Sequence, residues 1–293
     1  MNLPLCIVDC AWNSRQPGKR ECQQGHCTAN PRKPHRRLKK IRRITLQLGL
    51  ANLLLACQLS TFNDSVYPYV YRSELISTNT PQKLVIAHVN FGVPSKSYLQ
   101  GYSLKLDQKV QSVLEQGGFE IADNGNFRSF WRAAVRKHGD VYNESMAQLN
   151  TEAFKKVVGQ TLAQLAQSGE ADAVVFTDLL ENPVVFQGAN NRLAKWHGVS
   201  RKPRIKGRAS LPAEFDWSQT APAVSLRVIV YSVKGELLFK SLGGLEVTRH
   251  VDTSKNNGRF VRRDKLFSSA GNVDEGVRLA LHPLVPVRGY PEQ

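Results

Sequence analysis

An α/β domain with a mixed sheet is the fold this chain predicts, in two or three layers and in the order β-α-β-α-β-β-β-α. Three observations predict it. Between residues 81 and 181, short apolar runs of strand length alternate with longer segments whose apolar residues recur every three to four positions. An alternating run at 224–233 meets a Lys234-Gly235 turn and a second apolar run, which is a hairpin. Hydrophobic residues make up 41% and charged residues 22% of the chain, a globular composition that excludes disorder throughout. Helical crossovers give parallel strand neighbours and a hairpin gives antiparallel ones, so the sheet is mixed.

Taken in order, 83–91 (KLVIAHVNF) is a buried strand, broken by Gly92 and Pro94. From Ser97 to about Gln116, Leu99, Tyr102, Leu106, Val110, Val113 and Leu114 fall on one helical face, and Gly117-Gly118 stops the helix. FEIA at 119–122 is a second strand, and Asp123-Asn124-Gly125 reads as a turn. A helix follows from about Phe130 to His138 and ends at Gly139. Asn150 or Thr151 caps another helix to Ser168, with Phe154, Val157, Val158, Leu162 and Leu165 inward and Glu152 suiting the first turn. ADAVVFTDLL at 171–180 is the third strand. The hairpin strands are 224–233 and 236–242, the second able to run on through Gly243-Gly244 towards 245–251. A closing helix spans 274–281 and stops at Pro283.

Charge and cysteine are distributed unevenly. The net charge is +16, yet eleven of the 40 Lys and Arg, against only two acids, lie in residues 1–56. All five cysteines (Cys6, Cys10, Cys22, Cys27 and Cys57) lie at or before position 57. A basic pI near 9.8 would suggest nucleic acid. The concentration of cations before an apolar stretch argues for a targeting segment instead.

That segment begins RRLKKIRR at Arg36 and continues as ITLQLGLANLLLA before Cys57. The apolar part, residues 44–56, is too short to cross a ~30 Å hydrocarbon core as a helix. Leu54-Leu55-Ala56-Cys57 resembles a bacterial lipobox. Leu54 and the small Ala56 fit the pattern, and Leu55 is bulkier than its usual occupant. The resemblance implies cleavage between Ala56 and Cys57 and acylation of Cys57, including palmitate-type chains. Two or three such chains hold a protein stably on a bilayer. Gln58, which is not Asp, implies outer-membrane sorting with the body on the periplasmic face. The expected division is therefore 1–35 as a spurious or disordered extension, 36–56 as signal peptide, 57–80 as lipidated tether and 81–293 as periplasmic domain. Within the tether, Tyr67, Tyr69 and Tyr71 alternate and offer a short edge strand as the other reading.

The order of elements over about 82–250 is also similar to the curli-secretion lipoprotein family, to the amino-terminal domain of TolB and to lipoprotein activators of penicillin-binding proteins. The pieces that carry the likeness are 171–176 and the hairpin at 226–239. It implies an envelope accessory or assembly role, with no catalytic residues, cofactor or metal to carry over. The expected insertion, 182–222, lacks the alternating strands that the curli-secretion family drives through the membrane, so no pore is expected.

Motif chemistry is sparse. There is no HExxH, GxSxG or P-loop. His88 reads as a core or edge histidine, and Asp172 and Asp178 as strand-end residues sharing a face. The candidate site is the basic insertion: Arg192, Lys195, Trp196, Arg201, Lys202, Arg204, Lys206 and Arg208, with no acid between 182 and 213. Guanidinium and ammonium groups beside a Trp point to an anionic partner, an envelope protein or the cell-wall polymer, and otherwise to a solvated loop. Arg259, Arg262, Arg263 and Lys265 form a second, lesser cluster. Two further readings remain open. One is an envelope enzyme with an unrecognised site. The other is a cytoplasmic zinc- or nucleic-acid-binding protein, with Cys6, Cys10, Cys22, Cys27 and His26 as ligands.

Overall fold

The computed structural model describes residues 69–288 apart from 79–80, 89–96, 144–147, 189–191, 208–214 and 255–257. The described residues form an α/β domain on a six-stranded mixed sheet. Its strands are β1 (Tyr69–Tyr71), β2 (Lys83–His88), β3 (Glu120–Ala122), β6 (Ala173–Val184), β10 (Ala221–Ser232) and β11 (Leu237–Val247), in the spatial order β1-β11-β10-β6-β2-β3, while β4 (Tyr142–Asn143) and β5 (Gln148–Leu149) pair with each other as a separate two-stranded sheet. β2 is parallel to both β3 and β6, whereas β6, β10, β11 and β1 are antiparallel neighbours in turn.

The helices are α1 (Ser73–Thr78), α2 (Ser97–Gln116), α3 (Gly125–His138), α4 (Thr151–Ser168) and α5 (Ala270–Leu281). The chain moves from β2 outward to β3 through α2, then back past β2 to β6 through α3 and α4. Right-handed crossovers travelling in opposite directions put their helices on opposite faces. The cores agree. Leu84, Ile86, Val175, Leu226 and Val228 pack with α2 and α5 on one side, and Val85, Ala87, Val174 and Phe176 with α3 and α4 on the other. A strand buried on both faces must be apolar at successive positions, which is why β2 reads as a continuous run.

Local chemistry sets the boundaries. Asn150 caps α4, its side chain accepting the Ala153 N–H at 3.1 Å, and left-handed Gly169 (φ 67°) ends it. Asp172 accepts both the Gln82 and the Lys83 N–H at 2.9 Å, pinning the start of β2 to the start of β6. The other expected strand-end carboxylate, Asp178, pairs with Arg227 on the adjoining strand at 2.7 Å.

Several boundaries differ from the sequence expectation. Helix α3 begins at Gly125, five residues early, because the Asp123 carboxylate accepts the Gly125 N–H at 2.8 Å and Phe127 in the first turn is buried. α5 begins at Ala270, where the Ser269 hydroxyl accepts the Asn272 N–H. The expected tether is corrected at its distal end. Tyr69–Tyr71 pairs with Ser241–Phe239 of β11, and α1 follows with Ile76 in the core, so the body starts by Tyr69. The expected insertion is also narrower, since β6 stays paired with β10 out to Val184 opposite Ala221. Residues 1–68, with the extension, the signal segment, the cysteines and Tyr67, lie outside the described residues. So does the side chain of His88.

β11 extends through both glycines, as the sequence allowed. A Cβ on Gly243 would fall 2.6 Å from the Ala280 nitrogen of α5, and one on Gly244 would fall 2.8 Å from the Trp196 carbonyl. Glycine here permits a helix and a hairpin to approach the same strand closely.

Candidate functional site

Past Ser241 the edge of β11 has no β1 residue opposite it. A hairpin from the insertion takes that place: β7 (Ala194–Trp196) and β8 (Val199–Arg201), with Gly244 N–H donating to the His197 carbonyl at 2.9 Å. Its two-residue turn, His197-Gly198, has both φ angles positive (39° and 82°), the form whose twist suits a tight hairpin. The signal was present as His-Gly between two alternating triplets and was masked by the density of cations. Trp196 was expected among exposed cations. It is 7% exposed, buried beside Val199, Ala223 and Val247.

The expected basic residues do not form one face. Arg201 is mostly buried and meets Glu275 of α5 at 2.7 Å, donating also to the carbonyls of Leu245 and Asn272. It clamps the hairpin to strand and helix at once. Arg204 pairs with Glu246 at 2.9 Å. Lys206, on the two-residue strand β9 (Ile205–Lys206), lies 3.7 Å from Asp264 with both groups exposed. Arg192 stands over the Trp217 ring, 5.0 Å from its centre. Lys195 and Lys202 are exposed and have no ion-pair partner among the described residues. Arg208, Ala56 and Cys57 lie outside the described residues.

The acids that neutralise this loop come from elsewhere in the chain. Glu246 is 5% exposed and holds two cations, Arg204 and the buried Arg263, while its other oxygen accepts the Phe267 N–H. Arg263 also reaches the Val247 carbonyl and the Ser268 hydroxyl. This network ties β9 and the segment after Arg262 to the end of the main sheet.

A His–Ser pair also appears. The Nδ1 of His197 lies 2.7 Å from the Ser225 hydroxyl. Burial lowers the imidazole pKa below its ordinary 6.5. Ser225 is 0% exposed in the middle of β10, so no substrate carbonyl can reach its oxygen. Among the described residues no group of three His, Cys, Asp or Glu side chains is placed to hold a metal.

The second basic cluster is divided as well. β12 (Arg249–Asp252) and β13 (Arg259–Arg262) pair antiparallel, and β9 joins β12 in a small three-stranded sheet. Beside it opens a shallow depression of about 380 Å³, lined by Glu181, Pro222, Thr248, Arg249, Phe260 and Arg262. The Arg262 guanidinium lies 3.9 Å from the centre of the Tyr98 ring, and the Tyr98 hydroxyl donates to Glu181 at 2.6 Å. Burial, then the Glu181 carboxylate, push the Tyr98 pKa up to about 12. Arg249, missed in the sequence reading, stands directly across from Arg262 on the neighbouring strand. Nothing in its own segment marks it, because its importance is set by the register of another strand.

No known family model matches the chain, and no characterised protein matches it in sequence. Among solved structures, the chain is similar to one described as the PelC dodecamer from Paraburkholderia phytofirmans, at 11% identity and a TM-score of 0.28. The match covers 70% of this chain and 86% of that one.

Proposed function

We propose that the protein is a lipoprotein held on the periplasmic face of the outer membrane through Cys57, displaying a non-catalytic α/β domain that binds an envelope partner in an accessory or assembly role. The observation that carries this reading is the lipobox Leu54-Leu55-Ala56-Cys57 behind a cationic head and a short apolar stretch. Among the described residues no helix is long and apolar enough to cross a membrane. The serine hydroxyl that meets His197 is itself buried, an arrangement suited to packing rather than to acyl transfer.

The test is metabolic labelling with radioactive palmitate in the native host, together with mass spectrometry of the mature amino terminus. Wild type takes up label and begins at an acylated Cys57, and Cys57→Ser takes up none. An unlabelled wild type, or label persisting in the variant, overturns the anchor. Turnover of a cell-wall or lipid substrate by the purified protein overturns the non-catalytic part of the reading.

A further inference from the structure

The depression beside β12 and β13 has two properties that packing does not require. Arg249 and Arg262 are directly opposed on antiparallel strands, so their side chains leave the same face. Like charges in that position repel and destabilise a strand pair. Neither arginine is within ion-pair distance of a carboxylate among the described residues, although three other cations in this region, Arg201, Arg204 and Arg263, are each matched to an acid. Arg249 and Arg262 instead face each other across an open hollow.

The hollow also has an organised wall. Arg262 is held over the Tyr98 ring, which fixes its direction. Phe260 and Pro222 give an apolar floor, and Phe260 is stacked on Phe186, 5.9 Å between ring centres, and meets Phe215 edge-on at 5.3 Å. An aromatic braced on two sides presents a rigid face. Glu181 stands on the rim, with Oε1 taken by the Tyr98 hydroxyl. The two arginines outweigh it, so the lining is net positive. Planar guanidinium forks suit carboxylate and phosphate oxygens, and a volume of about 380 Å³ is within the range of small-ligand pockets.

We infer that Arg249 and Arg262 form an oxyanion subsite, and that Phe260 with Pro222 seats a ring carrying that oxyanion, a phosphate or carboxylate on an aromatic or sugar ring. The second carboxylate oxygen of Glu181 is left to accept a ring hydroxyl. The inference rests on the reading of the body as a binding domain, and it does not depend on the anchor at Cys57. An acyl chain gains little from a short aromatic floor, so the ligand is a soluble or polymer-borne ring rather than a lipid.

The test is calorimetric titration of the purified full chain with phenyl phosphate, benzoate, inorganic phosphate and phenol at low salt. Phenyl phosphate or benzoate binds at a single site, more tightly than inorganic phosphate or phenol. Arg249→Gln and Arg262→Gln each weaken that binding roughly tenfold to a hundredfold, the range for losing a charged hydrogen-bonding partner. Phe260→Leu reduces the ring-bearing probe to the level of inorganic phosphate. Lys234→Gln, at the exposed hairpin turn, changes nothing. Thermal melting separates the subsite from the fold. Arg249→Gln removes a like-charge opposition, so its melting temperature does not fall, and it decides the question even if Arg262→Gln unfolds by releasing Tyr98. The inference is overturned if no ring-bearing probe saturates, if Arg249→Gln binds as wild type does, or if Lys234→Gln loses as much. It is also overturned if the chain binds vesicles of phosphatidic acid through Arg249 while ignoring the soluble probes. Failure of palmitate labelling leaves each of these outcomes unaffected.

Discussion

Replacing Glu246 by Gln removes one negative charge and almost no volume. In the folded protein that charge faces Arg263, whose side chain is 7% exposed, and Arg204, whose side chain is 46% exposed. The two cations differ in what they can do when the carboxylate is gone. Arg204 turns to water, so deleting it alone, in Arg204→Ala, costs about 1 kcal/mol or less. Arg263 cannot leave, and a buried charge stripped of its partner costs about 3–5 kcal/mol. Domains are stable by only about 5–15 kcal/mol, so Glu246→Gln forfeits a large share of the total. The assay is urea denaturation followed by far-ultraviolet circular dichroism at pH 7, extrapolated linearly to water. Glu246→Gln is expected to lose several times what Arg204→Ala loses. Adding 0.5 M salt should shrink the Arg204→Ala difference and leave the Glu246→Gln difference nearly unchanged, because buried pairs are screened little. A double variant, Glu246→Gln with Arg263→Met, should recover much of the loss, since it leaves no buried charge unpaired and keeps an acceptor for the Phe267 N–H. If Glu246→Gln costs no more than Arg204→Ala, the view of this network as a buried electrostatic tie is refuted.

Gly276→Ala should destabilise by roughly 3 kcal/mol, the upper end for overpacking, because its new methyl would sit 2.7 Å from Leu245 and closer still to the backbone of β11. A melting temperature within a degree of wild type would show that α5 can move away freely. Asp172→Ala should cost about 1 kcal/mol, since water can take the two exposed backbone donors it frees, whereas Asp172→Asn, which keeps an acceptor, should cost less; equal losses would refute the pinning role. For His197 the folded imidazole pKa is depressed by burial. The unfolded chain therefore binds the proton first as pH falls through about 6.5, and the stability present at higher pH declines below it. His197→Gln should flatten the difference in unfolding free energy between pH 5 and pH 7.5, and an unaltered slope would mean that this histidine is not the group responsible.

Much of the sheet was legible because its signals are local. The run at β2, the hairpin around Lys234-Gly235 and the helix cap at Asn150 each depend on residues within a few positions of one another. The boundaries moved where a short-range device went unread, as when the Asp123 carboxylate starts α3 early. Tyr69–Tyr71 was ambiguous for a different reason. Three alternating residues make a strand only if an edge is waiting for them, and that edge belongs to β11.

The candidate site was much less legible. Read along the chain, the cations from Arg192 to Arg208 look uncompensated, because no acid lies among them. Folded, Arg201 and Arg204 are neutralised by Glu275 and Glu246, which arrive from distant elements, and Trp196 is buried under a hairpin. Arg249, inconspicuous in the sequence, gains Arg262 as its neighbour. The sequence by itself determined the period of each element and the turns between them, since propensity and turn geometry act over a few consecutive residues. Only the tertiary structure decided which charges are satisfied and which are left facing each other. Electrostatic pairing depends on separation in space, and the register of strands far apart in the chain sets that separation.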